Sequence, residues 1–562
     1  MALTVLLGIL LGGLAARAQN AVILNGMKDE LARSMAQLRL EQQSAPYYLS
    51  YQVKEGYSLE ISATSGAITR NRESTDRYLT VDLRVGDYAF DNSHFSSWFD
   101  WSGGPMYSYG GGGFPLDDDY SGIRRSIWLA TDQAYKSALE TLARKKAALQ
   151  NSIRADSLPD FTPGEKVIHL QPEARVKVPR SELVNRIEEA SKLFLRFSQI
   201  QKSEIELEVH NEDVYFITSE GVESVEPRVR STLTINAETQ ADDGMPLKTY
   251  RNYVFSGPAD VPSPQDLAKD INQIVSELTA LRKAPLIEDY DGPVLFEKEA
   301  AAEIFAQGFV PGLLANRAEE TGNIQFSMHA SPSGNSLLSK VNRKVLAKSW
   351  SVKASPALRT YKGIPLFGSY NIDDEGVRAR EVSLVENGIL KNVLVSRSPV
   401  KGFGRSNGHF RGGSVSPSVI FFLSNTKTSY PKLKKALIER VKEDGLDYGF
   451  IVRALVPLDE GGLSRYSFRG EELRLNRPVL AYRIYPDGKE ELVRGADFGT
   501  LNVRAFRNIV AAGDEEWVYN YPLQSSGPFA TILAPAFILP DVDIKKVSGN
   551  YRQPPIVSYP FQ

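Results

Sequence analysis

At 562 residues the chain exceeds the roughly 250–300 residues at which single cores stop growing, so two or three domains are expected. Hydrophobic residues make up 42% and charged residues 24%, with 66 basic against 68 acidic side chains, a balance that offers neither nucleic acid nor an anionic membrane a basic surface. Cysteine is absent, which excludes disulfides, thiolate nucleophiles and cysteine metal ligands; the five histidines are His94, His169, His210, His329 and His409.

The opening stretch, MALTVLLGILLGGLAARAQNA, is apolar and ends in Ala16-Arg17-Ala18, the small-x-small pattern of a signal peptide spanning residues 1–18. An exported protein of the periplasm or cell envelope is expected. No Lys or Arg precedes the apolar run, which leaves an uncleaved anchor as the alternative. No later run approaches the roughly 18 apolar residues of a membrane span, so no stable span is expected after cleavage.

A short helix is expected around residues 25–43, then several antiparallel strands from the alternation in YYLSYQVKEGYSLEISATSGAITRNRESTDRYLTVDLRV. WSGGPMYSYGGGGFPLDDDYSG reads as a loop rich in Gly, Tyr and Asp. Its glycines lack the following Gly-Lys-Ser/Thr of a phosphate cradle. From Ile123 to Leu149 the spacing of Trp128, Tyr135, Ala138 and Leu142 predicts one helix face, and Leu183, Ile187, Ala190, Phe194 and Phe197 predict a second. Strands return in SEIELEVH, VYFITSEG and RVRSTLTINAETQ. A helix with Leu267, Ile271, Ile274, Leu278 and Leu281 on one face closes an N-terminal domain of sheet plus helices over residues 22–285.

After the boundary KAPLIEDYDGPV the chain becomes short strands and glycine turns, interrupted mainly by helices at 296–308 and SYPKLKKALIERVKEDG. A mostly β domain over 286–545 and a Pro-rich tail over 546–562 follow, and the fold class is α+β. Asp373, Asp374 and Glu375 precede Gly376 in an acidic turn, with Gly376 expected at positive φ; calcium binding is the alternative. In GFGRSNGHFRGG the glycines, Gly404 among them, let backbone approach a ligand, and Arg405, His409 and Arg411 could pair with a peptide carboxylate. The other histidines have no second histidine at ligand spacing, and no Gly-x-Ser-x-Gly elbow is present.

The succession YDGPVLFEKEAAAEIF, GSYNIDDEGVRAREVSLVENGILKNVLVSRS, GRSNGHFRGG and ELVRGADFGTLNVRAFRNIVAAGDE resembles the C-terminal domain of the TldD/PmbA family, zinc-peptidase-related proteins also called modulators of DNA gyrase. The resemblance implies a His-Glu-x-x-x-His motif where a strand hands over to a helix. Glu297, Lys298 and Ala302 stand at its three positions, so the metal set is missing. This matches the PmbA-like (TldE) branch, in which a non-metal subunit completes the chamber of a metal-bearing one. The implied function is proteolysis of peptides or unfolded segments, with no cofactor in this chain and zinc left to a partner. A catalytic TldD-like subunit or a second copy is the expected partner, and the isolated chain is expected to be inactive. The alternatives are a stand-alone peptide-binding or scaffolding pseudoenzyme, and a hydrolase using Asp373, Asp374, Glu375 and His409.

Overall fold

The computed structural model describes residues 22–96, 107–109, 114–150, 157–172, 176–321, 335–456, 472–473, 475–523, 527–555, 557 and 559–560. The leader, His329 and most of the glycine-rich loop lie outside them.

Helix α1, residues 22–37, precedes two long strands, β1 (Pro46–Thr64) and β2 (Ala67–Val85). The sequence pattern predicts several strands here. One hairpin forms instead, because Gly56 stays in register between Asp76 and Glu212 and does not break the strand. Helices α2 (Tyr120–Leu149) and α3 (Arg180–Lys192) follow, then β3 (Lys202–Thr218), β4 (Glu223–Gln240), β5 (Pro246–Phe255) and α4 (Pro264–Lys283). The order β2-β1-β3-β4-β5 is antiparallel throughout, with Tyr107–Tyr109 and Ile168–Leu170 adding short strands.

Alternation assigns the two faces of this sheet. Leu59, Ile61, Ile205, Leu207, Leu233 and Ile235 meet α3 and α4, while Leu49, Tyr51, Val53 and Val81 meet α1 and α2. All four helices therefore cover one face. The other carries Glu206, Glu208, His210, Arg228 and Arg230 and looks toward the C-terminal half. On α2 the buried stripe is Ile123, Ile127, Ala134, Tyr135, Ala138 and Leu142; Trp128, expected there, is 45% exposed because it sits a full residue's rotation beyond Ile127.

The second sheet is built from β6 (Tyr290–Phe296), β7 (Trp350–Ala354), β8 (Val382–Glu386), β9 (Val419–Ser424), β10 (Gly449–Leu455), β11 (Pro478–Ile484), β12 (Glu490–Val493), β13 (Ala511–Pro522) and β14 (Phe529–Lys546). Its backbone is β8-β7-β9-β14-β6-β10-β11-β12, and β13 pairs with β14. Strand β14 is buried on both faces from Phe529 to Pro540, which explains its continuous apolar run. Helix α5 (Lys298–Gly308) fills one side with Ile304 and Phe305, the latter stacked on Phe422 at 4.0 Å. Helix α6 (Tyr430–Glu443) covers the other through Leu433 and Leu437. The architecture is α+β with a mostly β C-terminal part. No helix among the described residues is long and apolar enough to cross a membrane.

Candidate functional site

The polar face of β3 and β4 and the strand β13 enclose a cleft of about 680 Å³, within the range of small-ligand sites. Glu206, Glu208, His210, Arg230, Thr232 and Thr234 form one wall; Glu515, Trp517, Tyr519 and Tyr521 form the other, with Glu299 of α5 also lining it. An adjoining lobe of about 320 Å³ shares Arg230 and Phe529 and is lined by Arg228, Arg359 and Arg411 against Glu212 and Glu226. The cleft is thus acidic in one part and basic in the other.

Its charges are unevenly compensated: Arg70 pairs with Glu206 at 2.9 Å and Arg228 meets three carboxylates, whereas burial dominates at Glu299 and Arg230. Burial raises the Glu206 carboxyl, and Glu208 and Glu204 raise it further; His210, 3.4 Å from Glu208, lowers the Glu208 carboxyl. Glu299 has surface open to the cleft, yet the facing walls strip its water and raise its carboxyl. Burial likewise lowers Arg230, and it lowers Arg411 to about 10. Burial also pulls on Arg228, but Asp374, Glu212 and Glu226, 3.8–3.9 Å away, carry its pKa above the usual value.

The acidic turn and the glycine-rich loop, 35 or so positions apart, do converge, but through backbone amides. Asp373 accepts from Glu375 N at 3.1 Å, Val377 N at 2.8 Å and Phe410 N at 3.1 Å, and Asp374 accepts from Gly412 N at 2.7 Å. Gly376 adopts φ +80° as expected. Glu375 accepts from Arg397 N at 2.6 Å, and Arg397 reaches Glu220 at 2.7 Å in the N-terminal half. The turn is buried and fully engaged, so no open calcium site forms there.

Of the loop residues, His409 is wholly buried, its ring held by Asn407 and by Ser418 at 3.2 Å, and burial lowers it to about 3. Arg411 donates to Phe529 O at 3.0 Å and lies 4.2 Å from the Tyr370 ring centroid, at the edge of the basic lobe. Gly404 and Arg405 are exposed and are not among the residues lining the cleft. The four therefore do not share one surface. His94 is held by Ser398 at 2.7 Å and His169 by Asn371 at 3.1 Å. Sequence reasoning missed Glu206, Glu208, Arg228 and Arg230 as a site. The available signal was the alternation in SEIELEVH and EPRVRS, which places like charges on one strand face.

At the strand-to-helix junction, Glu297 is 3% exposed and directed to the α6 side, where it hydrogen-bonds Arg453. Arg453 continues to Glu490 at 2.8 Å, Lys434 approaches Glu490 at 2.5 Å, and Arg453 lies 4.2 Å from the Tyr482 ring centroid. Lys298 opens α5 at φ +55°, a left-handed conformation that is costly for a side-chain-bearing residue. Ala302 is fully buried in the core under α5.

A model of the PmbA/TldA metallopeptidase C-terminal domain matches residues 289–456. This part of the chain belongs to the TldD/PmbA family. A metalloprotease of Archaeoglobus fulgidus is 37% identical over 90 residues, a match spanning 16% of this chain and 20% of the length of that relative. A proposed modulator of a DNA gyrase from Thermotoga maritima superposes with a TM-score of 0.58 at 16% identity, covering 88% of this chain and 96% of its own. TldE of Thermococcus kodakarensis gives 0.53 at 14%, covering 89% and 97%, and a proposed modulator of DNA gyrase from Bacteroides thetaiotaomicron gives 0.55 at 13%, covering 92% and 99%. At these identities the likeness shows the fold, and it extends over nearly the whole chain.

The residues at the TldD/PmbA motif positions do not fit a zinc ion. Glu297 is engaged by Arg453, Lys298 brings a cation, and Ala302 has no donor atom. No group of three or more His, Asp or Glu suited to a metal occurs among the described residues.

Proposed function

We propose that this chain is an exported, zinc-less member of a TldD/PmbA-type peptidase assembly, acting in proteolysis of peptides or unfolded segments with a metal-bearing partner. The observation that carries this reading is the replacement of a metal set by the Glu297–Arg453 ion pair on one side of the junction and by the buried Ala302 methyl on the other. The helix persists because Ala300, Ala301, Ile304 and Phe305 pack it onto the sheet without any metal. Export rests on the apolar leader. The interdomain cleft supports peptide binding: it joins aromatic walls to charged ends, a combination suited to a polar chain with apolar side chains.

The test is an affinity pull-down of the tagged full chain from its host's envelope fraction, with proteins identified by mass spectrometry. Co-elution of a chain carrying His-Glu-x-x-x-His, with peptidase activity in the pair and none in either chain alone, is expected. Elution alone, with peptidase activity intact, would contradict the reading.

A further inference from the structure

The geometry points to an oxyanion site in the basic lobe, with Arg230 and Arg411 as its two guanidinium arms and a carboxylate of a bound peptide as its ligand. The inference rests on the peptide-binding part of the function above, because the lobe of about 320 Å³ adjoins the larger cleft and shares Arg230 and Phe529 with it.

Both arms are fixed on one short piece of chain. Arg230 donates through Nη1 to Gly527 O at 2.6 Å, and Arg411 donates through Nη1 to Phe529 O at 3.0 Å and to Gly368 O at 3.4 Å. Positions two residues apart are at most about 7 Å from each other. A carboxylate with one oxygen on each guanidinium, at about 2.8 Å per contact, reaches across donors held at such a distance. The Phe529 ring centroid, 5.1 Å from the Arg230 guanidinium, and the Tyr370 ring centroid, 4.2 Å from that of Arg411, set the two forks against aromatic faces. Arg411 is 4% exposed, yet its Nε and Nη2 have no hydrogen-bond partner among the described residues and are not sealed from solvent. Its bidentate donor edge is therefore unused.

The acids of the lobe are engaged elsewhere. Glu226 meets Arg359 at 3.4 Å, Arg228 at 3.8 Å and the Asn371 amide at 3.1 Å; Glu212 lies 3.9 Å from Arg228, and Asp374, 3.8 Å from Arg228, accepts from Gly412 N. Arg228 is thus neutralised. Among the described residues no carboxylate forms an ion pair with Arg230 or Arg411; Glu212 and Glu208 act on the first, and Asp374 and Glu226 on the second, only at longer range. Burial depresses the pKa of both arms and Arg228 depresses it further, as expected of cations that have lost water without gaining an anion. A peptide offers that anion as its C-terminal carboxylate or as an Asp or Glu side chain, and the adjoining cleft holds the rest of the ligand.

Calorimetric binding of three peptides to the full chain tests the proposal: N-acetyl-tetra-alanine with a free C-terminus, its C-terminal amide, and N-acetyl-Ala-Ala-Glu-Ala amide. At least one of the two carboxylate-bearing peptides should bind about tenfold more tightly than the uncharged amide, and which one does so separates a terminal from a side-chain carboxylate. Arg230→Met should bring that peptide and the uncharged amide to the same affinity. Arg411→Lys, which keeps the charge and loses the planar fork, should reduce the preference several-fold. Equal binding of all three peptides to the wild-type chain would overturn the oxyanion site and leave peptide binding standing. Absence of binding by all three would overturn both. A preference undiminished in both variants would put the carboxylate elsewhere and overturn the assignment to this lobe. The comparison on the wild-type chain needs no variant, so the first answer does not depend on how either variant folds.

Discussion

Glu297 sits at 3% exposure with its carboxylate on Arg453, so the pair is a local structural element in place of a ligand set. Removing one partner leaves a buried charge uncompensated. Arg453→Met should lower stability by about 3 kcal/mol in urea unfolding, and adding Glu297→Gln should recover much of it. An additive double variant would show that the two residues do not act as a pair. Ala302 and Lys298 were legible in the sequence as wrong residue types for zinc, because lacking a donor is a property of the side chain alone. The role of Glu297 was not, since its partner lies 156 positions away and only the parallel pairing of β6 with β10 brings them together.

Among the elements, the acidic turn shows how a local pattern can be read correctly in shape and incompletely in role. Gly376 announced positive φ; the docking of Asp373 and Asp374 onto the amides of the 410–412 loop was hidden by the sequence separation. Burial raises Glu375 to about 7, above the usual carboxyl value. Its folded pKa exceeds its unfolded pKa, so its contribution is complete below about 4.5 and is lost as pH rises through 7. Over that window the wild-type chain should lose stability relative to Glu375→Gln, read as the difference between their denaturation midpoints at pH 5 and pH 8. A difference independent of pH would show that Glu375 does not titrate in this range. Strand β4 was legible from alternation and α4 and α6 from helical periodicity, whereas β3 runs unbroken through SEIELEVH and most of VYFITSEG, which read as two strands. Alternation also marks a polar face, but not what covers it: here the cover is β13, encoded some 300 residues later.

At the level of the whole molecule, the four N-terminal helices occupy one face of the first sheet and leave the charged face to the second half. Arg397 with Glu220, 2.7 Å apart, and Arg317 with Asp160, 3.8 Å apart, are ion pairs that cross between the two halves. The α+β class and the mostly β second half follow from composition and turn spacing. The cleft does not, because it exists only once two sheets from opposite ends of the chain face each other. The match of residues 289–456 to the family domain and the absence of metal donors at Lys298 and Ala302 support the proposal that this chain relies on a partner for metal chemistry. Zinc titration of the purified full chain, followed by gel filtration and elemental analysis, tests that most directly. No zinc should be retained by the wild-type chain. Stoichiometric zinc that disappears on Glu297→Ala would contradict it.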